Sequence, residues 1–248
     1  MLFDLHAHSS GISVCCKVNA GDALRIAREN GMDGLVLCNH YQNTSKYMPD
    51  GDHRAFSERY LAEYRQAVAL AKQMHMGLIF GVEVTMTRYE LVHLVIYGVG
   101  PDFVRAHTQM YDYTQEQLYR AVKEAGGVLI QAHPYRIKRR LMDVELLDGI
   151  EVNCHPKYED VYLEEMAEIA TRYGKILTCG GDYHHDTPYR PKCGMYLPDD
   201  VRDTYDLARF LQTASSVDLC VQQVDGSAPQ RVTFTRGCGI AARREVQS

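Results

Sequence analysis

No run of about eighteen consecutive apolar residues, the length a spanning helix needs, occurs in this 248-residue chain. No transmembrane helix is therefore expected. The first residues, Met1-Leu2-Phe3-Asp4, lack the basic stretch and apolar core of a secretory signal. Structure is expected from residue 2 onward, and the cytoplasm is the expected compartment. The eight cysteines include no Cys-x-x-Cys pair, which argues against a structural zinc knuckle and a disulfide framework. Cys38, Cys154 and Cys179 sit inside apolar runs and read as buried free thiols. An excess of basic charge is missing too. Lys and Arg number 27 against 32 Asp and Glu, for a net charge of -5. Holding a phosphate backbone needs the opposite balance, and the one basic cluster, Arg136 to Arg140, is too short to supply it. Extended nucleic acid is disfavoured as a partner. Tryptophan is absent, and tyrosine occurs 17 times in its stead.

What is present begins four residues into the chain. Asp4-Leu5-His6-Ala7-His8 follows the apolar pair Leu2-Phe3, so both histidines end a first strand. Residues i and i+2 of a strand face the same side. Two imidazoles can thus converge on one point, as a divalent transition metal requires. A pair of surface histidines at a chain end would look the same, so the partners decide.

Short apolar runs recur along the chain and most end in a residue capable of chemistry. They are 2–6, 34–40, 77–83, 91–97, 127–133, 149–153 and 176–182. Strands this continuously apolar are buried on both faces, as in a parallel sheet. Residues 20–30, 54–74, 114–125 and 158–173 read as the intervening helices. Gly31 is placed to cap the first, and Thr114 with Gln117 has the form of a capping box. Alternation of this kind predicts an α/β fold with a parallel, closed architecture. One domain is expected over residues 1–235. After Asp182 a loop runs to residue 192, a helix is expected over 203–213 and strands over 217–224 and 231–235. Residues 236–248 read as a poorly ordered tail.

In parallel β/α folds chemistry collects at the carboxyl ends of strands. His6, His8, His40, Glu83, His133, Asp182 and His184 stand there, and His93 lies in the fourth strand, able to point inward. Each is a good ligand for Zn, Mn or Fe. His53, His75 and His107 fall outside this pattern and read as solvated, whereas His155 and His185 lie close enough to the rim to touch a substrate. Tyr41, Tyr135 and Tyr183 flank ligands and either line the pocket or pack ordinarily.

Taken in order, Asp4-Leu5-His6-Ala7-His8, Asn39-His40, Gly81-Val82-Glu83, His93, Ala132-His133-Pro134 and Gly181-Asp182-Tyr183-His184 resemble the motifs of the PHP (polymerase and histidinol phosphatase) superfamily over roughly residues 1–190. That resemblance implies a distorted (β/α)7 barrel with a cluster of two or three divalent ions at its C-terminal mouth. It assigns His6, His8, Glu83 and Asp182 to a first ion. Glu83 would bridge to a second held by His93 and His133, and His40 and His184 would take a third. Many relatives place a further histidine shortly after the first motif. Here the segment is Ser9-Ser10-Gly11-Ile12-Ser13-Val14-Cys15-Cys16, in which Cys15 or Cys16 either substitutes as a thiolate or is an inert thiol. Asn39 replaces a frequently acidic residue and is expected to act on the ligands from behind.

Two ions about 3.5–4 Å apart share a water, acidify it and neutralise the oxygens of a phosphoester. The implied activity is hydrolysis of a small phosphorylated metabolite by a metal-bound hydroxide, a hydrolase of phosphoric ester bonds. Asp182 and His184 are placed to handle the leaving-group proton. Arg136, just past His133, is placed to pair with phosphate, with surface solvation as its alternative; Lys17, Lys138 and Arg139 are weaker candidates. Two other functions use the same residues: a short-oligonucleotide exonuclease, and a non-catalytic metal-binding or regulatory module.

Overall fold

The computed structural model describes residues 1–48, 50–136, 138–155, 160–185, 192–225 and 227–246. In chain order the elements are β1 (Leu2–Ala7), α1 (Ala20–Glu29), β2 (Gly34–Leu37), β3 (His40–Tyr41), α2 (His53–Met74), β4 (Gly77–Phe80), β5 (Val82–Thr85) and β6 (His93–Tyr97). They continue as α3 (Pro101–Ala106), α4 (Gln115–Glu124), β7 (Val128–Gln131), β8 (Gly149–Asn153), α5 (Leu163–Arg172), β9 (Ile176–Gly180), β10 (Gly194–Tyr196), α6 (Thr204–Thr213), β11 (Ser216–Val221), β12 (Gln230–Thr235) and β13 (Gly239–Glu245).

The helices start and stop where local chemistry directs. The Asn19 side chain accepts from the Asp22 amide at the head of α1, and Gly31 takes φ +73° just past its end. Ala23, Leu24, Ile26 and Ala27 form the buried stripe of that helix. The Thr114–Gln117 capping box is present in full at the start of α4. The expected helix over 158–173 is seen as α5, and residues 158–159 lie outside the described residues.

The architecture is mixed α/β with two sheets. One has the order β13-β12-β11-β10-β1-β2-β4 and the other β3-β5-β6-β7-β8-β9. Leu37 stands opposite Phe80 in the first sheet, and His40 opposite Glu83 in the second. The two ladders thus share one register offset across the breaks at 38–39 and 81. A parallel bridge between Ala7 and Tyr183 joins the end of β1 to the residues following β9. Between the layers Leu5, Val36, Val95, Tyr97, Ile130 and Ile150 form a core that excludes water. The Tyr97 hydroxyl donates to the Leu5 carbonyl at 2.8 Å within it.

Three expectations need correction. The sheet is not wholly parallel: β6 runs antiparallel to both β5 and β7. Only residues 86–92 join β5 to β6, too few for a helical crossover, so the chain turns back as a hairpin. Among the described residues no α-helix separates β7 from β8; a 3-10 turn, Val144–Leu146, lies between them. The segment read as a loose tail contributes β13, paired with β12 from Gln230↔Glu245 to Thr235↔Gly239. Its sequence has too little apolar content to reveal a strand, because it is a sheet edge with one neighbour.

Candidate metal centre

The seven strand-end residues and His93 converge on one buried cluster. His6 and His8 leave the end of β1, Glu83 lies in β5, and His133 and Asp182 follow β7 and β9. His93 is the first residue of β6 rather than the last. Because that strand runs the other way, its beginning is at the same rim.

Glu83 is the hub. Its Oε1 lies 3.0 Å from His93 Nδ1 and 3.2 Å from both His133 Nε2 and His6 Nε2. Its Oε2 lies 2.6 Å from His40 Nδ1 and 3.5 Å from His8 Nε2. Asp182 Oδ1 is 2.9 Å from His8 Nε2 and 3.7 Å from His6 Nε2. The donor atoms of His6, His8, Glu83 and Asp182 all fall within 4.8 Å of one another, as do those of His8, His40 and His184 and those of His40, Glu83 and His93. His133 touches the hub from the side instead of joining one of these compact sets.

Three rings have their tautomers set from behind. His184 Nδ1 lies 2.7 Å from the Asp182 carbonyl, which only accepts, so the proton is on Nδ1 and Nε2 faces the cluster. His6 Nδ1 donates to Glu151 Oε1 at 2.8 Å. His8 Nδ1 donates to Ser13 Oγ at 3.1 Å, because the Ser13 hydroxyl spends its own proton on Asn39 Oδ1. Backing by carboxylate, carbonyl or hydroxyl is how metal-binding histidines are held. The inward atoms fit that purpose. His6 Nε2 and Glu83 Oε2 are buried and make no hydrogen bond, although each has an oppositely charged neighbour within 3.2 Å. They are aimed at the space between the side chains rather than at one another.

Electrostatics follow from this crowding. Burial alone would raise Glu83, but the fields of His40, His93 and His6 outweigh it and hold the carboxyl well below the ordinary range. Asp182 is likewise lowered, burial being overcome by His184, His6, a hydrogen bond from His8, and Arg136. Burial lowers and Glu83 raises His40, with the net result about 10. His6 is carried well above its usual value by Glu151, Glu83 and Asp182 against burial. His8 goes the other way, lowered by burial and by His184 and His40. Asp4, buried behind His6, is pushed by burial up to about 7 although it accepts from the His6 and Gly181 amides.

Two ligand-type residues hold unusual backbone. His133 has φ 33° and Asp182 φ 49°, a region costly for residues with a Cβ and typical of functional sites. Gly180 explains how β9 approaches β1 so closely. A Cβ there would lie 2.4 Å from His6 Cβ and 2.9 Å from Glu151 Oε1.

Glu151 escaped the sequence reading. Its signal was a lone charged residue in the apolar run Gly149-Ile150-Glu151-Val152-Asn153, 1 % exposed in the fold. Besides His6 it accepts from the His133 amide at 3.2 Å and from Asn153 Nδ2 at 3.1 Å. Asn39 is buried beside the first motif: Oδ1 accepts from the Ser9 amide and Ser13 Oγ, and Nδ2 donates to Ser9 Oγ. Arg136 places its guanidinium on Asp182. It lines an open cleft beside the cluster with His93, His133, Lys138, Arg140 and Glu90. Lys138 is paired with Glu90 at 2.7 Å. Tyr41 does not line the site; it is fully buried, with its hydroxyl on Ser57 at 2.6 Å. His53 and His107, expected in solvent, are partly buried and bond the hydroxyls of Tyr111 and Tyr113. His155 is buried beside His184, with ring centroids 6.3 Å apart.

No family model and no curated protein matches the sequence. Solved structures do match. A presumptive metal-dependent phosphoesterase from Bifidobacterium adolescentis is 18% identical with a TM-score of 0.52, over 84% of this chain and 94% of that one. An amidohydrolase from Chromobacterium violaceum, carrying bound sulfate and no metal, is 16% identical with a TM-score of 0.58, over 84% and 96%. A two-domain protein from Bacteroides vulgatus containing a predicted PHP-like metal-dependent phosphoesterase is 14% identical with a TM-score of 0.53, over 95% of this chain and 65% of that one. The chain shares its fold with these proteins. At these identities the likeness speaks for the fold alone, and in this chain that fold carries a buried His, Glu and Asp cluster suited to divalent metal.

Proposed function

We propose that the protein is a metal-dependent phosphoesterase that hydrolyses a small phosphorylated metabolite. The observation that carries this reading is Glu83, a buried carboxylate whose two oxygens face different groups of imidazoles. The expected shells are His6, His8, Glu83 and Asp182 for one ion, Glu83, His93 and His133 for a second, and His40 and His184 for a third. Zn, Mn and Fe all suit these donors.

Bound divalent ions supply Lewis acidity toward phosphoryl oxygens and acidify water at neutral pH. The chain's own residues do the rest. Glu83 fixes the separation of the two halves of the cluster. Glu151, Ser13 and the Asp182 carbonyl hold three rings with Nε2 inward. Arg136 stands on Asp182 at the wall of the cleft, where a guanidinium can take a phosphate oxygen. With Nε2 of His184 given to the third ion and Nδ1 to the Asp182 carbonyl, the Asp182 carboxylate is the group left at the rim for the leaving-group proton. The sulfate held by the Chromobacterium violaceum protein supports a phosphate-like ligand.

The finer architecture fits this reading. The shared register of the β2–β4 and β3–β5 ladders and the Ala7–Tyr183 bridge support one distorted seven-strand barrel, counted as β1, β2 with β3, β4 with β5, and β6 to β9. The cluster would occupy its mouth. Six buried free cysteines favour a reducing compartment such as the cytoplasm, and no described helix is long and apolar enough to cross a membrane.

The test is elemental analysis of protein reconstituted with Mn, Zn and Fe in turn, then hydrolysis assays. The panel holds phosphorylated metabolites, a dinucleotide, short single strands and amide substrates. Release of phosphate from a small metabolite supports the proposal. Metal-loaded protein inert toward every phosphoester, or fewer than about one ion bound per chain, sinks it.

A further inference from the structure

We infer that Cys15 is a sulfur ligand of the cluster, completing with His40 and His184 a donor set that takes a soft divalent cation such as Zn²⁺ or Co²⁺ in preference to Mn²⁺ or Mg²⁺. This rests on the metal reading above and adds a residue and a metal preference to it.

Cys15 Sγ lies 3.1 Å from His184 Nε2, which lies 3.4 Å from His40 Nε2. Zinc bonds of about 2.0–2.1 Å to nitrogen and 2.3 Å to sulfur, set tetrahedrally, separate two nitrogens by about 3.3 Å and nitrogen from sulfur by about 3.6 Å. The two separations made by His184 Nε2, 3.1 Å to Cys15 Sγ and 3.4 Å to His40 Nε2, already stand close to that spacing. The His184 tautomer turns a lone pair toward the sulfur, since its proton is committed to the Asp182 carbonyl.

The loop holds Cys15 there. Ser13 is tied to Ser9, Asn39 and the His40 amide. The Cys16 amide donates to the Ser13 carbonyl at 3.0 Å, and the Lys17 amide to the His184 carbonyl at 3.0 Å. Anchors on both sides leave the Cys15 side chain over the two rings. Cys16 is turned away, its thiol on the carbonyls of Val18 and His184 at 3.4 and 3.5 Å. Of the two adjacent cysteines the geometry therefore selects the first. Thiolate favours zinc and cobalt over the oxygen-seeking manganese and magnesium. On binding, the thiol proton leaves to buffer as the sulfur–metal bond forms.

Cys15 and Cys238 are the two exposed cysteines, and Cys238 lies in the turn between β12 and β13, so it serves as an internal control. The experiment alkylates the full-length protein with iodoacetamide, with and without Zn²⁺, and reads each site by mass spectrometry. Zinc is expected to slow alkylation of Cys15 at least about tenfold, because a coordinated thiolate is released only with the metal, and to leave Cys238 unchanged. Co²⁺ loading should give a near-ultraviolet sulfur-to-cobalt charge-transfer band, lost in Cys15→Ser. Equal alkylation of Cys15 in protein that binds zinc overturns the sulfur ligand and leaves the metal centre standing. A protein that binds no divalent ion overturns both.

Discussion

Glu151 Oε1 and His6 Nδ1 stand 2.8 Å apart, and this contact decides which nitrogen of the first histidine looks into the cluster. A carboxylate behind a ligand also raises the basicity of the ring. Replacing such partners typically costs about 10–100-fold in metal affinity. Glu151→Gln is expected to fall in that range when affinity is titrated calorimetrically. Unchanged affinity would reduce Glu151 to a partner of the His133 amide and Asn153.

Arg136 makes a separable prediction. Its guanidinium pairs with Asp182 and faces the cleft. A hydrogen bond to a charged group is worth about 1.5–3 kcal/mol, so Arg136→Ala should raise KM for a phosphoester about 10–100-fold. Metal content should stay intact by elemental analysis. A normal KM with depleted metal would mean that Arg136 serves Asp182 alone.

Acid should weaken metal binding. Before loading, His40 titrates at about 10 and His6 well above its ordinary 6.5, and a coordinating ring must be unprotonated. Loading therefore releases protons from both, and affinity climbs as pH rises from about 6.5 toward 10. The same raised values stabilise the unloaded fold fully below 6.5, a contribution lost as pH climbs through about 10. Calorimetry in two buffers of different ionisation enthalpy counts the protons. Release of none at pH 8 would contradict the assigned protonation states.

Gly180→Ala tests the closeness of β9 and β1. The added Cβ would meet His6 Cβ at 2.4 Å, and overpacking of this sort costs about 1–3 kcal/mol. Lower denaturant stability together with reduced metal content is expected. Full stability with full metal content would show that the strands part without consequence.

The cluster was largely legible in the sequence because each of its ligand-type residues closes or interrupts an apolar run, and a polar residue there is conspicuous. His93 was legible as a residue but not as a position. Its strand direction depends on how short the connection from β5 is, which matters only once the neighbours of β6 are known. Glu151 and Asp4 were harder. Their meaning comes from the approach of β9 to β1, a pairing between residues about 175 apart in sequence that no local pattern announces. The edge strand β13 was missed for a different reason: with one neighbour and both faces largely wet, it has no apolar alternation to read.

The hairpin between β5 and β6 has one more consequence. Because β6 returns antiparallel, the turn of residues 86–92 lies at the rim where His93 begins, and its Glu90 and Leu91 form part of the cleft wall. Both ends of this turn are fixed by ladder bonds, with Thr85 opposite His93. The turn is thus a replaceable rim: its length and chemistry can drift, or be exchanged by grafting, while Glu83 and His93 stay in register beneath it. The wall of the cleft in this architecture can change without rebuilding the cluster beside it.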